Sequence, residues 1–298
     1  MSDKVIIREV GPRDGFQNES TILSTNAKLE IIEGLERAGL SWIEVTSFVS
    51  SRRVPQLADA EELLHRLPGH SPVTQAVFVP NQRGLERAIA SGATEATTAV
   101  AASDEINRRN FGVSAAEAME ALPKLLATAS ESDVRLTLTL GTAFGCSVEG
   151  EIAPERILAL AEQAIGFGFD ELVLGDTVGL GNPRQVTNLY SSLIERFPGV
   201  CFGAHFHDTR GLGAANAYAA YEVGVRTFDA SVGGLGGCPF APGAAGNVAT
   251  EGLVNMFEQM GVNTGIDLDA LVRVAAHAAR LFGRALDSAV MRATLAEK

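Results

Sequence analysis

The stretch Glu171–Val232, ELVLGDTVGLGNPRQVTNLYSSLIERFPGVCFGAHFHDTRGLGAANAYAAYEVGVRTFDASV, decides the fold. Glu171 to Leu174, Cys201 to His207 and Thr227 to Val232 are short runs with strand character. Pro183 to Phe197 and Leu212 to Val223, which separate them, read as helices. The connections are short and rich in Gly, Pro and Asp. Strand–helix–strand repetition of this kind makes parallel neighbours, because a parallel pair needs a crossover between its strands.

The same alternation extends upstream. Val5 to Val10 is a strand that stops at Gly11-Pro12-Arg13-Asp14-Gly15. Thr25 to Gly39 is a helix, with Leu29, Ile32, Leu35 and Ala38 at helical spacing and Gly39 as its C-cap. Strands follow at Ser41–Phe48, Val73–Val79, Glu95–Ala102 and Val134–Leu140. Their helices lie at Pro55–Leu67, Asn81–Ser91, Ser114–Glu131 and Pro154–Phe167, the last with Pro154 well placed at a helix start. Eight strand–helix units predict an α/β fold, the TIM (β/α)8 barrel. An open doubly wound sheet is the alternative, but no GxGxxG follows the first strand. Val248 to Met260 reads as the closing helix and Asp267 to Phe282 as an additional one. The expectation is one domain over 1–298, with the barrel at about 5–262 and a C-terminal helical extension at about 263–298.

Composition narrows the function. The 298 residues are 46% hydrophobic and 20% charged, enough for one large core, and the net charge of -12 speaks against a nucleic-acid partner. An acidic chain can still hold an anion through a local basic or metal-centred site. Three cysteines, Cys146, Cys201 and Cys238, form no CxxC pair, so a reducing compartment is expected. Strand sequence starts at Val5, leaving no room for a leader, and no apolar run approaches the length of a membrane span. These features predict a cytoplasmic protein with no membrane partner.

In such a barrel the working side chains stand at the C-terminal ends of strands. That rule selects Asp14, Glu44, Asp176, His205, His207 and the glycine-dense loop Gly233–Asn247 with Cys238 and Asn247. His205 and His207 are two apart on a strand and point to one face, which favours a metal or proton-transfer role. With Asp14 and the oxygen of Asn247 they make a mixed oxygen/imidazole set that suits Mg²⁺ or Mn²⁺, with Zn²⁺ also compatible. Blander readings stand beside these. Arg13 and Asp14 can be a loop ion pair, Glu44 and Asp176 satisfied interior polar groups, and the loop a surface turn with an inert Cys238. Arg52-Arg53 and Arg108-Arg109 can meet phosphates at the barrel mouth but read better as solvated charge, and Cys146 and Cys201 as packing residues.

VGPRDGFQNE at Val10–Glu19, IEVTSFVS at Ile43–Ser50, GDTVG at Gly175–Gly179, HFHDT at His205–Thr209 and GGLGGCPFAPGAAGN at Gly233–Asn247 resemble the 3-hydroxy-3-methylglutaryl-CoA lyase family. The likeness keeps motif order from about Val5 to the last helix. The cysteine loop is specific to these lyases, whereas RDG and HxHD mark a wider metal-dependent superfamily. The resemblance implies cleavage of an acyl-CoA substrate to acetyl-CoA and acetoacetate, with Asp14, His205, His207 and Asn247 on the metal. It implies His205 as acid/base too, a role that competes with ligation. Arg13 would offer its fork to the enolate, Cys238 would carry a proton on a loop that excludes water, and Glu44 and Asp176 would support the proton network. A homo-oligomer, dimer or tetramer, is expected.

Three places depart from the family pattern. Arg210-Gly211-Leu212 replaces an aromatic followed by Gly-Gln, Ser147-Val148-Glu149 replaces Pro-Tyr-Glu, and Ala289 stands where Lys is common. They put the acyl group in question, with citramalyl-CoA the rival and Arg210 the candidate for the difference. A Claisen-condensing enzyme and a non-catalytic barrel that binds CoA esters are the further alternatives.

Overall fold

The computed structural model describes residues 3–69, 71–237 and 246–297. Eight strands run β1 Ile6–Glu9, β2 Trp42–Ser47, β3 Thr74–Phe78, β4 Glu95–Ala101, β5 Arg135–Gly141, β6 Glu171–Asp176, β7 Cys201–Phe206 and β8 Thr227–Ala230. All pair in parallel in chain order, and β1 closes on β8 with Ile6 beside Thr227 and Glu9 beside Ala230. The expected (β/α)8 barrel is the fold.

The helices around it are α1 Thr25–Arg37, α2 Ala60–Arg66, α3 Gln82–Ala90, α4 Asp104–Phe111, α5 Ala115–Glu131, α6 Pro154–Phe167, α7 Pro183–Arg196, α8 Gly213–Glu222, α9 Thr250–Gln259, α10 Leu268–Phe282 and α11 Ala289–Ala296. Local chemistry sets their starts. Ser114 accepts from the Glu117 amide while the Glu117 carboxylate accepts from the Ser114 amide, and Asn182 and Gln185 do the same for α7. α6 begins with Pro154 and stops at Gly168, whose φ of +109° lies where a side chain would be strained. The apolar faces of these helices bury Ile32, Leu35, Leu85, Leu122, Ile157 and Leu193 against the barrel. α10 lies against α1, where a Cβ on Gly34 would come within 2.9 Å of Val274.

The differences from expectation are local. α4 is additional: its sequence DEINRRNF shows little apolar periodicity, but Ser103 caps it and Ile106 anchors it. The span 55–67 divides into a short helical turn at Pro55–Leu57 and α2. α9 starts after Val248 because Val248 donates to the Phe206 carbonyl and Ala249 bridges Ser231. None of the described helices is long and apolar enough to cross a membrane.

Two buried carboxyl groups brace the rear of the barrel mouth. Glu9 accepts from the amides of Gly11 and Val232 at 2.7 and 2.8 Å and from the Thr250 hydroxyl at 2.7 Å. Glu251 accepts from the Gly233 amide at 2.9 Å. Burial pushes Glu9 up to about 8 and Glu251 up to about 7, against the pull of these donors. The tight helical turn Gly11–Gly15 thus has its first residue pinned, and a Cβ on Gly11 would approach Glu9 to 2.6 Å. Past α10, Arg284 forms a two-pronged pair with Glu19 at 2.5 and 3.0 Å, tying the C-terminal helices to the segment behind that turn.

Candidate metal centre and active site

The turn after β1 sets the site. The Asp14 amide donates to the Val10 carbonyl at 2.7 Å, which projects Arg13 and Asp14 over the barrel mouth. Arg13 donates through Nε to Glu44 on β2 and through Nη1 to Asp14 at 2.6 Å. Its guanidinium also lies over the Phe78 ring, 4.7 Å from the centroid. Glu44 accepts from the Thr97 hydroxyl as well, and the β2–β3 register slips by one residue between Glu44 and Thr46. A bulge of that kind re-aims a side chain beside a site. Burial raises the Glu44 carboxyl and Arg13 opposes it. Asp14 is buried too, but Arg13, the two histidines and the Asn247 amide outweigh desolvation and hold it at about 2.

Across the mouth β7 delivers the histidines. His205 lies within the strand, His207 just beyond it, and their ring centroids are 5.3 Å apart. One ligand atom from each of Asp14, His205 and His207 fits within a mutual distance of 4.8 Å. The chain returning from the glycine-dense loop runs beside the end of β7, with His207 bridged to Asn247 and the Asp208 amide donating to Gly246. This brings Asn247 Nδ2 to 2.7 Å from Asp14 Oδ2. Burial, and then the neighbouring His205, depress His207 to about 4, so its ring is neutral at ordinary pH with a lone pair to offer.

The donor set fits a cation. His207 Nδ1, Asn247 Oδ1 and Asp229 Oδ1 are buried polar atoms with no hydrogen-bond partner. Asp14, Glu44 and Asp229 gather around the single guanidinium of Arg13, while the cavity's other two arginines are engaged elsewhere, Arg8 with Glu171 and Arg53 with the Asn110 carbonyl. Turning the Asn247 amide over would place its oxygen against Asp14, an arrangement that a positive ion between the two would favour. A divalent cation answers both the charge imbalance and the unmet oxygen.

The structure therefore brings together Arg13, Asp14, Glu44, His205, His207 and Asn247. Asp176 shares no hydrogen bond with this cluster, although it lies close enough to His205 for the two charges to interact. Both its oxygens turn into its own loop, to the amides of Leu180 and Gly181 at 2.9 and 3.0 Å. Arg210 does not line the cavity either: it donates to the carbonyls of Val178 and Gly179 at 2.9 and 3.0 Å. Cys238 lies outside the described residues.

Sequence reasoning missed Asp229, whose Oδ2 is 3.2 Å from His205 Nδ1. The signal was a carboxylate in the middle of a buried strand, but its neighbour follows only from the β7–β8 register, which places Asp229 beside His205. Also missed were Thr97 and the wall that α4 supplies through Ile106 and Phe111. The cavity holds about 430 Å³ and runs from Arg53 at the rim, an arginine read as surface charge, down to Arg8 and Trp42. Small residues such as Ala99, Gly141 and Gly175 leave that room along β4–β6.

Comparison with known proteins gives the site its context. A family model described as HMGL-like matches residues 4–277. A hydroxymethylglutaryl-CoA lyase of Bacillus subtilis is 43% identical over 285 residues, covering 96% of this chain and 95% of the relative. An (R)-citramalyl-CoA lyase of Chloroflexus aurantiacus is 41% identical over 301 residues, covering 98% and 95%. Among solved structures, an HMG-CoA lyase from Acinetobacter baumannii in complex with coenzyme A and 3-methylmalate superposes with a TM-score of 0.94 at 38% identity, covering 98% of this chain and 96% of that one.

Proposed function

The chain belongs to the HMGL-like family, and on that premise we propose that it is a metal-dependent carbon–carbon lyase cleaving 3-hydroxy-3-methylglutaryl-CoA to acetyl-CoA and acetoacetate. The observation that carries this reading is the Asp14–His205–His207 cluster beside the Arg13–Glu44 pair, lining a cavity of about 430 Å³. Asp14, His205, His207 and Asn247 would hold Mg²⁺ or Mn²⁺, which when bound supplies Lewis acidity toward the tertiary hydroxyl and a neighbouring oxygen.

The residues account for the rest of the reaction. The hydroxyl loses its proton as the adjacent carbon–carbon bond breaks, and the electron pair passes to a thioester enolate. Arg13 sits where a fixed cation meets that charge, oriented by Glu44 so that little reorganisation is needed. The enolate carbon then takes a proton, a step we assign to Cys238, with His205 as the acid/base at the hydroxyl when its Nε2 is not on the metal. Thr97 and Phe78 hold the Glu44–Arg13 pair from behind. Asp176, held by the amides of Leu180 and Gly181, would support the proton network through its charge near His205.

A second reading keeps this chemistry with citramalyl-CoA as substrate and pyruvate as the second product, favoured by the 41% identity to an (R)-citramalyl-CoA lyase over 98% of the chain. We place the enzyme in the cytoplasm as a dimer or tetramer, without nucleic-acid partners. The test is acetyl-CoA release from each thioester, with Mg²⁺ or Mn²⁺ and with EDTA. Metal-dependent release with acetoacetate supports the first reading, and release from citramalyl-CoA alone replaces it with the second. Release from neither overturns the lyase assignment and leaves the condensing reaction or a non-catalytic barrel.

A further inference from the structure

The two histidines of the cluster are supported differently. His207 Nδ1 has no hydrogen-bond partner, whereas His205 Nδ1 faces Asp229 Oδ2 at 3.2 Å. The contact is built into the sheet: β7 and β8 pair with His205 directly beside Asp229, and parallel neighbours in register project to the same face. Both side chains are almost fully enclosed, and both line the cavity.

We propose that Asp229 is the positioning residue for His205: it holds the ring proton on Nδ1 and so presents Nε2, with its lone pair, to the centre of the cavity. The reason is chemical. A neutral imidazole carries one proton on either nitrogen, and a carboxylate against Nδ1 selects the tautomer with the proton there. The other nitrogen is then free to meet a cation or a substrate proton. Asp229 thereby serves either role assigned to His205, and the inference rests on the cluster being the working centre. Asp229 itself stays behind the ring. An asparagine in its place can donate its amide to Nδ1 and drive the proton to Nε2, the wrong tautomer for ligation.

The test reads the proton directly. Histidine-labelled, metal-free protein is examined by long-range ¹H–¹⁵N correlation at a pH well above the ordinary histidine range, as the parent and as Asp229→Asn. His205→Gln identifies the His205 resonances. The expected result is an Nδ1–H tautomer for His205 in the parent and a shift toward Nε2–H in Asp229→Asn, with His207 unchanged. Mn²⁺ titration of the same samples is expected to show about 10- to 100-fold weaker binding in Asp229→Asn, the usual effect of losing such support. Asp229→Ser, which fits the same space, provides the second variant if the asparagine form does not fold. An unchanged His205 tautomer in a folded variant overturns the proposal. A parent that binds no Mn²⁺ overturns the metal reading instead and leaves the tautomer result to decide the role of Asp229.

Discussion

The two ends of this barrel carry similar charged residues arranged to opposite effect. At the floor Arg8 pairs with Glu171 at 2.5 Å, Arg135 reaches the same carboxylate at 2.9 Å, and Trp42 donates to Glu95 at 3.4 Å. There two guanidinium groups stand against two carboxyl groups. At the mouth Arg13 faces Asp14, Glu44 and Asp229, and three buried polar atoms lack partners, where the floor leaves Arg8 Nε without one. The floor balances its own charge and the mouth does not. Buried charge left unmet by the fold marks where a ligand completes it, which a count of ion pairs alone would not reveal.

That contrast can be broken in order of effect. Asp14→Asn removes the carboxylate of the Asp14–His205–His207 cluster, and kcat is expected to fall by ~10³-fold or more if that cluster holds the Lewis acid. Mn²⁺ titration should show the loss of binding, while the thermal midpoint changes little. Arg13→Met strips the cation from the enolate site, with an expected loss of about 10² to 10³ in kcat and Mn²⁺ affinity nearly retained. Arg13→Lys should recover only part of it, since an ammonium lacks the fork that reaches Glu44 and Asp14 together.

Arg8→Met probes the floor and should behave in the opposite way. It strands Glu171 with only the half-exposed Arg135, at a cost of about 3 kcal/mol in denaturant unfolding, while kcat per folded enzyme stays near that of the parent. A large fall in kcat without loss of stability would erase the distinction between the two ends.

The smallest effect sharpens the comparison through pH. Glu9 holds its proton up to about 8 in the folded chain, against an ordinary value of 4.5. Between those values the native state binds a proton that the unfolded chain has released, so stability falls as pH rises through the window. Glu251 adds to the same slope up to about 7. Glu9→Gln, whose amide can donate to Thr250, is expected to flatten the pH dependence of the unfolding midpoint without removing it entirely.

The barrel was legible because its strands are separated by helices with clear starts and stops, and because eight such units have few other ways to close. α4 was not: Ile106 and Phe111 are its only large apolar residues, and the pair leaves no periodic trace. α11 is hidden for a similar reason, with Met291 its one buried side chain. Within the site, Asp14, His205 and His207 followed from strand-end position and the two-residue spacing. Asp229 did not, because the residue it serves lies on another strand and only the register joins them. Asp176 sits at a strand end as well, yet the amides of Leu180 and Gly181 claim both its oxygens, and nothing in the sequence says which partner a carboxylate will choose. Arg210 shows the same limit: a change of residue type at the rim was visible, but not that its charge would be spent on two backbone carbonyls.

The hydrogen bond between Asp14 and Asn247 spans 233 positions of the chain. A ribosome makes Asp14 almost at once and Asn247 only near the end, so the proposed four-residue metal set cannot form on a nascent chain that stops short of β8. The ion therefore cannot nucleate folding from the N-terminal side. It can lock a barrel whose first and last strands have already met, so C-terminally truncated chains should gain no protection from Mn²⁺ against proteolysis. Metal occupancy of the proposed four-residue set would then report completed synthesis and closure together.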